Sequence, residues 1–211
     1  EAAGGIQVTA SHNPQEYNGF KFSRSNARPV SGDHGIPAIE ACVRTGDFPH
    51  ADRRGTLEPG DIMPAYREHL LRFLQPYPET PPLKVVVDAA NGMGCIYQSL
   101  LEEAGLDLDL LYFELDGTFP NHPADPIQPE NLRDLQARVL ETGADIGLAF
   151  DGDADRVFLV DERARPVSGS TTTALVARGV LRRHPGATVL HNLICSRAVP
   201  EVIAECGGRA V

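Results

Sequence analysis

The sequence has little positive charge, no long apolar run and no paired cysteine motif, and each shortage argues against a class of protein. The 19 Lys and Arg residues are outnumbered by 29 Asp and Glu, which gives a formal net charge of −10. Clustered cations are what bind a phosphate backbone, so this balance argues against a nucleic-acid-binding surface. No apolar run approaches the ~18 residues of a membrane span, so we expect no membrane partner.

The cysteines indicate the redox compartment. The four of them form no CxxC pair and lie in apolar or mixed surroundings along the chain. This pattern is typical of reduced thiols in a cytoplasmic protein rather than of a disulfide framework, and we expect a cytoplasmic location. The 211 residues, 42% of them hydrophobic and 23% charged, are ample for a folded core. The length allows one large domain or two small ones.

Strands alternate with amphipathic helices, which predicts an α/β fold of mixed β-sheets covered by helices. Strands are expected at 5–9, 18–22, 83–87, 108–113, 145–150, 157–160 and 187–191, and again at the C-terminus. Helices are expected near 36–46, 62–75, 96–104, 129–143, 170–181 and 196–205. The proline-rich stretch 76–82 is the best candidate for a linker. Both ends of the sequence look cut, so we expect domains truncated at both ends.

Three aspartates at alternate positions, Asp151, Asp153 and Asp155, follow the predicted strand 145–150. A turn at Gly152 would let all three aim oxygens at one point. Holding three negative charges together costs on the order of several kcal/mol unless a cation neutralises them. Hard carboxylate oxygens suit Mg²⁺ or Ca²⁺, so the segment predicts a divalent-cation site rather than a solvated acidic turn.

Two other kinds of site use a similar acidic segment. An EF-hand loop would use the three aspartates with Glu162, but it requires glycine where Arg156 stands and helices where strands are predicted. That interpretation is excluded. A haloacid-dehalogenase-type phosphatase would use Asp151 as nucleophile and Asp153 as acid. The residues that follow continue that motif poorly, so it stays open as the weaker alternative.

A second chemical segment is the tight loop Thr9-Ala-Ser-His-Asn-Pro14, which follows the first predicted strand. The Asn-Pro pair stops a helix from forming, so the hydroxyl of Ser11 should be presented at the strand end. His12 could orient or polarise a phosphoryl group, and Lys21 on the next strand could neutralise phosphate or carry a proton. Taken alone, these residues also fit ordinary loop and surface positions. A serine-hydrolase triad is not expected, because there is no GxSxG elbow.

The two segments together resemble the α-D-phosphohexomutase family. The resemblance rests on Thr9-Ala-Ser-His-Asn-Pro14 with Tyr17-Asn-Gly-Phe-Lys21, and on Asp-Gly-Asp-Ala-Asp-Arg about 140 residues after the serine. The segments 87–92 and 119–126 add to it. Within the family the chain is most similar to the bacterial phosphomannomutase/phosphoglucomutase group. The resemblance assigns 1–78 to the end of domain 1, 79–163 to domain 2 and 164–211 to the start of domain 3.

The resemblance implies an intramolecular phosphotransferase that interconverts hexose 1-phosphate and hexose 6-phosphate of mannose or glucose. Ser11 matches the position that is phosphorylated in the active enzyme, and its phosphate with the three aspartates would bind one Mg²⁺. Transfer to the sugar gives a hexose 1,6-bisphosphate, which serves as intermediate and activator and returns its other phosphate. Lys21 matches the proton-transfer residue. His12 and Arg156 match residues that support the phosphoserine.

The family's sugar-selecting loop and phosphate-clamping domain have no match in this chain, so we expect the fragment alone to be inactive or nearly so. Phosphoglucosamine mutase is the alternative within the family. A non-catalytic divalent-cation-binding module is the alternative from another class. The remaining histidines show no ligand spacing, and we expect them at surface or helix-capping positions: His34, His50, His69, His122, His184 and His191.

Overall fold

The chain divides into two compact units, Glu1–Tyr77 and Pro78–Val211. The structure, a computed structural model, describes residues 2–73 and 81–211. Most of the predicted linker, and the predicted end of the helix at 62–75, lie outside the described residues. No helix within the described ranges has the length and apolar character needed to cross a membrane.

The first unit is built on a three-stranded antiparallel sheet. Its strands, in spatial order, are β1 (Gly4–Val8), β2 (Phe20–Arg24) and β3 (Arg28–Pro29). Helices α1 (Ile36–Thr45) and α2 (Met63–Leu71) follow. Helix α1 ends because Gly46 adopts a left-handed φ of 71° and donates its N–H to the carbonyl of Cys42. Val8 pairs with Phe20, so β1 and β2 hold the ends of the loop between them together.

The second unit contains a five-stranded mixed sheet in the order β5-β4-β6-β7-β8. The strands are β4 (Lys84–Asp88), β5 (Asp107–Leu111), β6 (Ile146–Phe150), β7 (Val157–Asp161) and β8 (Pro166–Val167). Strand β4 runs parallel to β5 and β6, whereas β7 and β8 are antiparallel to their neighbours. Because β4 and β6 are parallel, the residues that follow them meet at one edge of the sheet.

Helix packing fixes the position of that edge. A 3₁₀ turn (Met93–Tyr97) leads into α3 (Gln98–Glu103), and another (Pro129–Leu132) leads into α4 (Arg133–Thr142). Helix α4 buries Leu135 and Val139 completely in the core with Val86. A Cβ on Gly147 of β6 would lie 2.9 Å from Cδ1 of Leu135, so glycine there lets the helix approach the sheet.

The C-terminal elements form a smaller layer around a second core cluster. They are α5 (Gly169–Arg183), β9 (Thr188–Val189), α6 (Ala198–Glu205) and β10 (Arg209–Ala210). Strands β9 and β10 pair in parallel. Leu181, Val199 and Ile203 are buried between the two helices.

The predicted α/β fold with mixed sheets and helices is confirmed. The two-residue strands β3 and β8 were not predicted. Both contain a proline and lie at sheet edges, where the missing N–H is tolerated, and both are too short to show alternation. The division of residues 79–211 into two domains stays a prediction.

Candidate functional site

The acidic triad, defined as Asp151, Asp153 and Asp155, lies in the loop that joins β6 to β7. One carboxylate oxygen from each residue lies within 4.8 Å of the other two. The loop is tight because Ala154, at a left-handed φ of 56°, donates its N–H to the carbonyl of Asp151 at 2.9 Å. Oxygens at this spacing could hold one hard cation.

Asp151 is the buried member of the triad, with no exposed surface. Burial raises the pKa of its carboxyl above the ordinary value, and the charge of Asp153 raises it further, while the hydrogen bonds and charge of Arg156 act in the opposite direction. Burial and the neighbouring Asp153 thus both oppose a negative charge on Asp151. A bound cation would therefore be favourable at this position.

Arg156 pairs directly with the triad. Its Nε lies 2.7 Å from Oδ2 of Asp151, and its backbone N–H lies 3.1 Å from Oδ1 of the same carboxylate. The Nε also lies 3.4 Å from Oδ1 of Asp155. One guanidinium beside three carboxylates leaves the loop with a net negative charge, while a third of the arginine side chain stays accessible at 34% exposure.

Ser11 lies in the tight loop after β1, at a φ of 58°, which is uncommon for a residue with a Cβ. Its N–H donates to Oγ1 of Thr9 at 2.8 Å, and Nδ1 of His12 lies 3.3 Å from its Oγ. The backbone N–H and side-chain amide of Asn13 both donate to the carbonyl of Ala10, at 3.1 and 2.8 Å. Residues that their surroundings hold in a sparsely populated backbone conformation cluster at functional sites.

Lys21 lies on β2, opposite Gln7 of β1, and its side chain is exposed. The serine loop is anchored to the start of this strand, because Thr9 donates its N–H to the carbonyl of Gly19 at 3.0 Å. A Cβ on Gly19 would lie 2.6 Å from the Thr9 oxygen, so only glycine allows this approach. The serine, histidine and lysine thus belong to the first unit, and the triad with its arginine belongs to the second.

Sequence reasoning missed an ion pair between buried Asp88 and half-buried His122. Asp88 ends β4, is 1% exposed, and its Oδ2 lies 3.0 Å from Nε2 of His122. The other ring nitrogen, Nδ1, lies 2.9 Å from the carbonyl of Pro123. A carboxylate and a carbonyl both accept hydrogen bonds, so this geometry is satisfied when both ring nitrogens carry hydrogen, as in the imidazolium form. The expected surface position of His122 is wrong, since its side chain is 13% exposed.

The pKa of His122 is raised above its ordinary value of 6.5. Burial acts to lower it, but the hydrogen bond and charge of Asp88 outweigh that effect, with help from the Pro123 carbonyl and the charge of Asp134. Because the pKa is raised in the folded state, the ion pair contributes fully to the free energy of unfolding below about pH 6.5. This contribution is lost as the pH rises through the folded-state pKa.

We therefore expect His122→Gln to remove part of the pH dependence of stability. The difference in melting temperature between the unsubstituted protein and the variant should be largest below pH 6.5 and shrink above the folded-state pKa. Thermal denaturation from acid to alkaline pH measures this, with NMR titration of the imidazole to locate the pKa. A difference that stays constant across the range would contradict the ion pair.

Comparisons with known proteins identify the family. Residues 64–165 match the family model described as phosphoglucomutase/phosphomannomutase, alpha/beta/alpha domain II, and residues 1–50 match domain I. A phosphomannomutase of Salmonella montevideo is 39% identical over 216 residues, covering 99% of this chain and 47% of that protein. A phosphomannomutase/phosphoglucomutase of Pseudomonas aeruginosa is 39% identical over 212 residues, covering 100% of this chain and 44% of that protein.

The solved structures agree. A phosphoglucomutase/phosphomannomutase family protein from Burkholderia thailandensis superposes with a TM-score of 0.88 at 36% identity, covering 98% of this chain and 44% of that one. The chain belongs to the phosphoglucomutase/phosphomannomutase family of α-D-phosphohexomutases. The resemblance inferred from the two motifs is thereby confirmed. The chain spans about half the length of the curated relatives it matches.

Proposed function

We propose that this chain carries the phosphoserine loop and the cation-binding loop of a phosphohexomutase. The enzyme interconverts hexose 1-phosphate and hexose 6-phosphate of mannose or glucose. The observation that carries the proposal is the acidic triad, whose oxygens lie within 4.8 Å of one another after a strand of a chain that belongs to this family. The proposed domains are those of the sequence prediction: 1–78, 79–163 and 164–211.

The triad fits Mg²⁺ by the chemistry of its donors, three hard carboxylate oxygens of which one is buried with a raised pKa. We propose Asp151, Asp153 and Asp155, with the phosphate on Ser11, as the ligands. The bound ion would neutralise part of the phosphoryl charge and polarise the phosphorus. Arg156, which already lies beside the triad, would make charge-assisted hydrogen bonds to phosphoryl oxygens.

Phosphoryl transfer would proceed between Ser11 and the sugar. The bond between phosphorus and the serine Oγ breaks while the attacking sugar hydroxyl bonds to phosphorus. The hydroxyl proton passes to the amine of Lys21 in its uncharged form, and Oγ keeps the electron pair. The hexose 1,6-bisphosphate then reorients and returns its other phosphoryl group to Ser11. His12, at 3.3 Å from Oγ, would steady the phosphoserine. Positioning and electrostatics supply the catalysis.

The partner in this proposal is a small phosphosugar, and we propose a cytoplasmic setting. All four cysteines, Cys42, Cys95, Cys195 and Cys206, are free thiols. Free thiols throughout a chain are typical of a reducing compartment.

Intact-mass measurement tests the proposal. The full-length protein, incubated with Mg²⁺ and glucose 1,6-bisphosphate, is expected to gain one phosphoryl group on Ser11 and to lose it to glucose 6-phosphate or mannose 6-phosphate. A Ser25→Ala variant, changed at an exposed serine of the same unit, should behave identically. Release of inorganic phosphate in place of transfer would indicate the phosphatase alternative. Transfer only to glucosamine 6-phosphate would indicate a phosphoglucosamine mutase.

A further inference from the structure

Each carboxylate oxygen of Asp88 fixes a different loop. Oδ1 accepts the N–H of Ala90 at 2.8 Å, which holds Ala90 and Asn91 at left-handed φ values of 46° and 57°. Oδ2 holds the His122 imidazolium at 3.0 Å. These two contacts fix two loops, residues 89–93 and residues 122–124, which are far apart in sequence. Asp88 therefore sets the positions of both from one buried point at the end of β4.

The two loops converge on Gly152, the residue between the first two aspartates of the triad. The N–H of Gly152 donates to the carbonyl of Ala124 at 3.1 Å, and its carbonyl accepts the N–H of Met93 at 2.9 Å. A Cβ on Gly92 would lie 2.8 Å from the Gly152 oxygen, so the 89–93 loop packs closely against Gly152. The N–H and the carbonyl of Gly152 are thus both hydrogen-bonded to the loops that Asp88 organises.

We propose that Asp88 and His122 are positioning residues that hold the Asp151–Asp155 loop in its cation-binding form through Gly152. Neither side chain is proposed to touch substrate or cation. The cation part of the inference rests on the proposed function, whereas the positioning of Gly152 does not. Removal of residues that orient a cation's ligands without touching the cation typically lowers metal affinity by roughly 10- to 100-fold.

The charged surroundings of His122 make Asp88 its main partner. The ring packs edge-on against Tyr112 at 5.3 Å, and the Tyr112 hydroxyl donates to Asp134 of α4 at 2.7 Å. Asp134 therefore acts on the imidazolium from a distance, and Asp88 acts by direct contact. In Asp88→Asn the side-chain oxygen can still accept from Ala90 while the amide donates to a neutral His122. This variant is expected to keep the geometry without the charge pair.

Amide hydrogen exchange without any cation tests the positioning directly. In His122→Ala and Asp88→Ala we expect the Gly152 and Met93 amides to exchange about 10-fold faster or more, with little change at Val86 in the centre of β4. Asp88→Asn should restore most of the protection. His191→Ala is the matched control, because His191 makes a similar local contact to the Asn192 carbonyl in the smaller C-terminal layer.

Calorimetric titration with Mg²⁺ then tests the consequence. The two alanine variants should bind Mg²⁺ about 10-fold more weakly, and Asp88→Asn within about twofold of the unsubstituted protein. Exchange that rises equally at Gly152 and Val86, or that does not rise in His122→Ala, would overturn the proposal. If the unsubstituted protein binds no Mg²⁺ but the exchange pattern is as expected, the positioning role stands and the cation assignment fails.

Discussion

Replacement of Ser11 by alanine is expected to abolish hexose phosphate interconversion by the full-length protein. Under the proposed mechanism the serine oxygen is the one enzyme group that gives a phosphoryl group to the sugar and takes the other one back. Loss of a covalent carrier lowers turnover by roughly 10⁴- to 10⁶-fold, because no other group takes over the same bond. A coupled assay of glucose 6-phosphate formation from glucose 1-phosphate measures the effect, with intact mass as a second readout.

The Ser11→Ala change should leave the loop in place. The contacts that fix the backbone come from the N–H of Ser11 and from Asn13, and both survive when the hydroxyl is removed. Alanine tolerates the left-handed φ of 58° about as poorly as serine does, so the change adds little strain. Thermal denaturation should therefore match that of Ser25→Ala. Substantial mutase activity in Ser11→Ala would refute the phosphoserine assignment.

The site was predictable where its chemistry is contiguous in sequence. The triad and Arg156 occupy six consecutive residues after an apolar strand, so local rules suffice to bring their side chains to one loop. The serine loop is equally local, because Asn13 and Pro14 enforce the turn. A divalent-cation site also follows from the local pattern of the triad, whereas the choice of Mg²⁺ and the phosphorylation of Ser11 follow from the family resemblance.

The Asp88–His122 pair was not predictable in the same way. Its partners lie 34 positions apart, and the parallel pairing of β4 with β5 brings the segment after β5, which contains His122, to the end of β4. A search for histidine ligand spacing cannot find a histidine whose partner is a single carboxylate at a strand end. The one local signal was an acidic residue that directly continues a buried valine run, Val85–Val87. Such a carboxylate requires a buried partner, but the sequence does not say which.

Asp153→Asn is expected to remove most of the Mg²⁺ affinity without destabilising the fold. The substitution keeps the shape of the side chain but takes one anionic ligand from the triad. Loss of residues that only orient the ligands lowers metal affinity by roughly 10- to 100-fold. Loss of a direct ligand should therefore lower the Mg²⁺ affinity by about 100-fold or more. The charge of Asp153 raises the pKa of buried Asp151, so its removal relieves repulsion in the cation-free protein. Asp151 is less suitable for this test, because its loss would leave Arg156 beside an uncharged partner.

Thermal denaturation with and without Mg²⁺ separates these two effects. The unsubstituted protein should be stabilised by Mg²⁺ in proportion to the logarithm of its concentration over the dissociation constant, whereas Asp153→Asn should gain little at the same concentration. Asp107→Asn is the matched control: it makes the same charge change at an exposed position, and it lies at the start of β5, on the opposite edge of the sheet from the triad. Equal Mg²⁺ stabilisation in Asp153→Asn and Asp107→Asn would show that the triad is not the cation site. Full mutase activity in the presence of a chelator would reject the cation's role in transfer, whatever the triad binds.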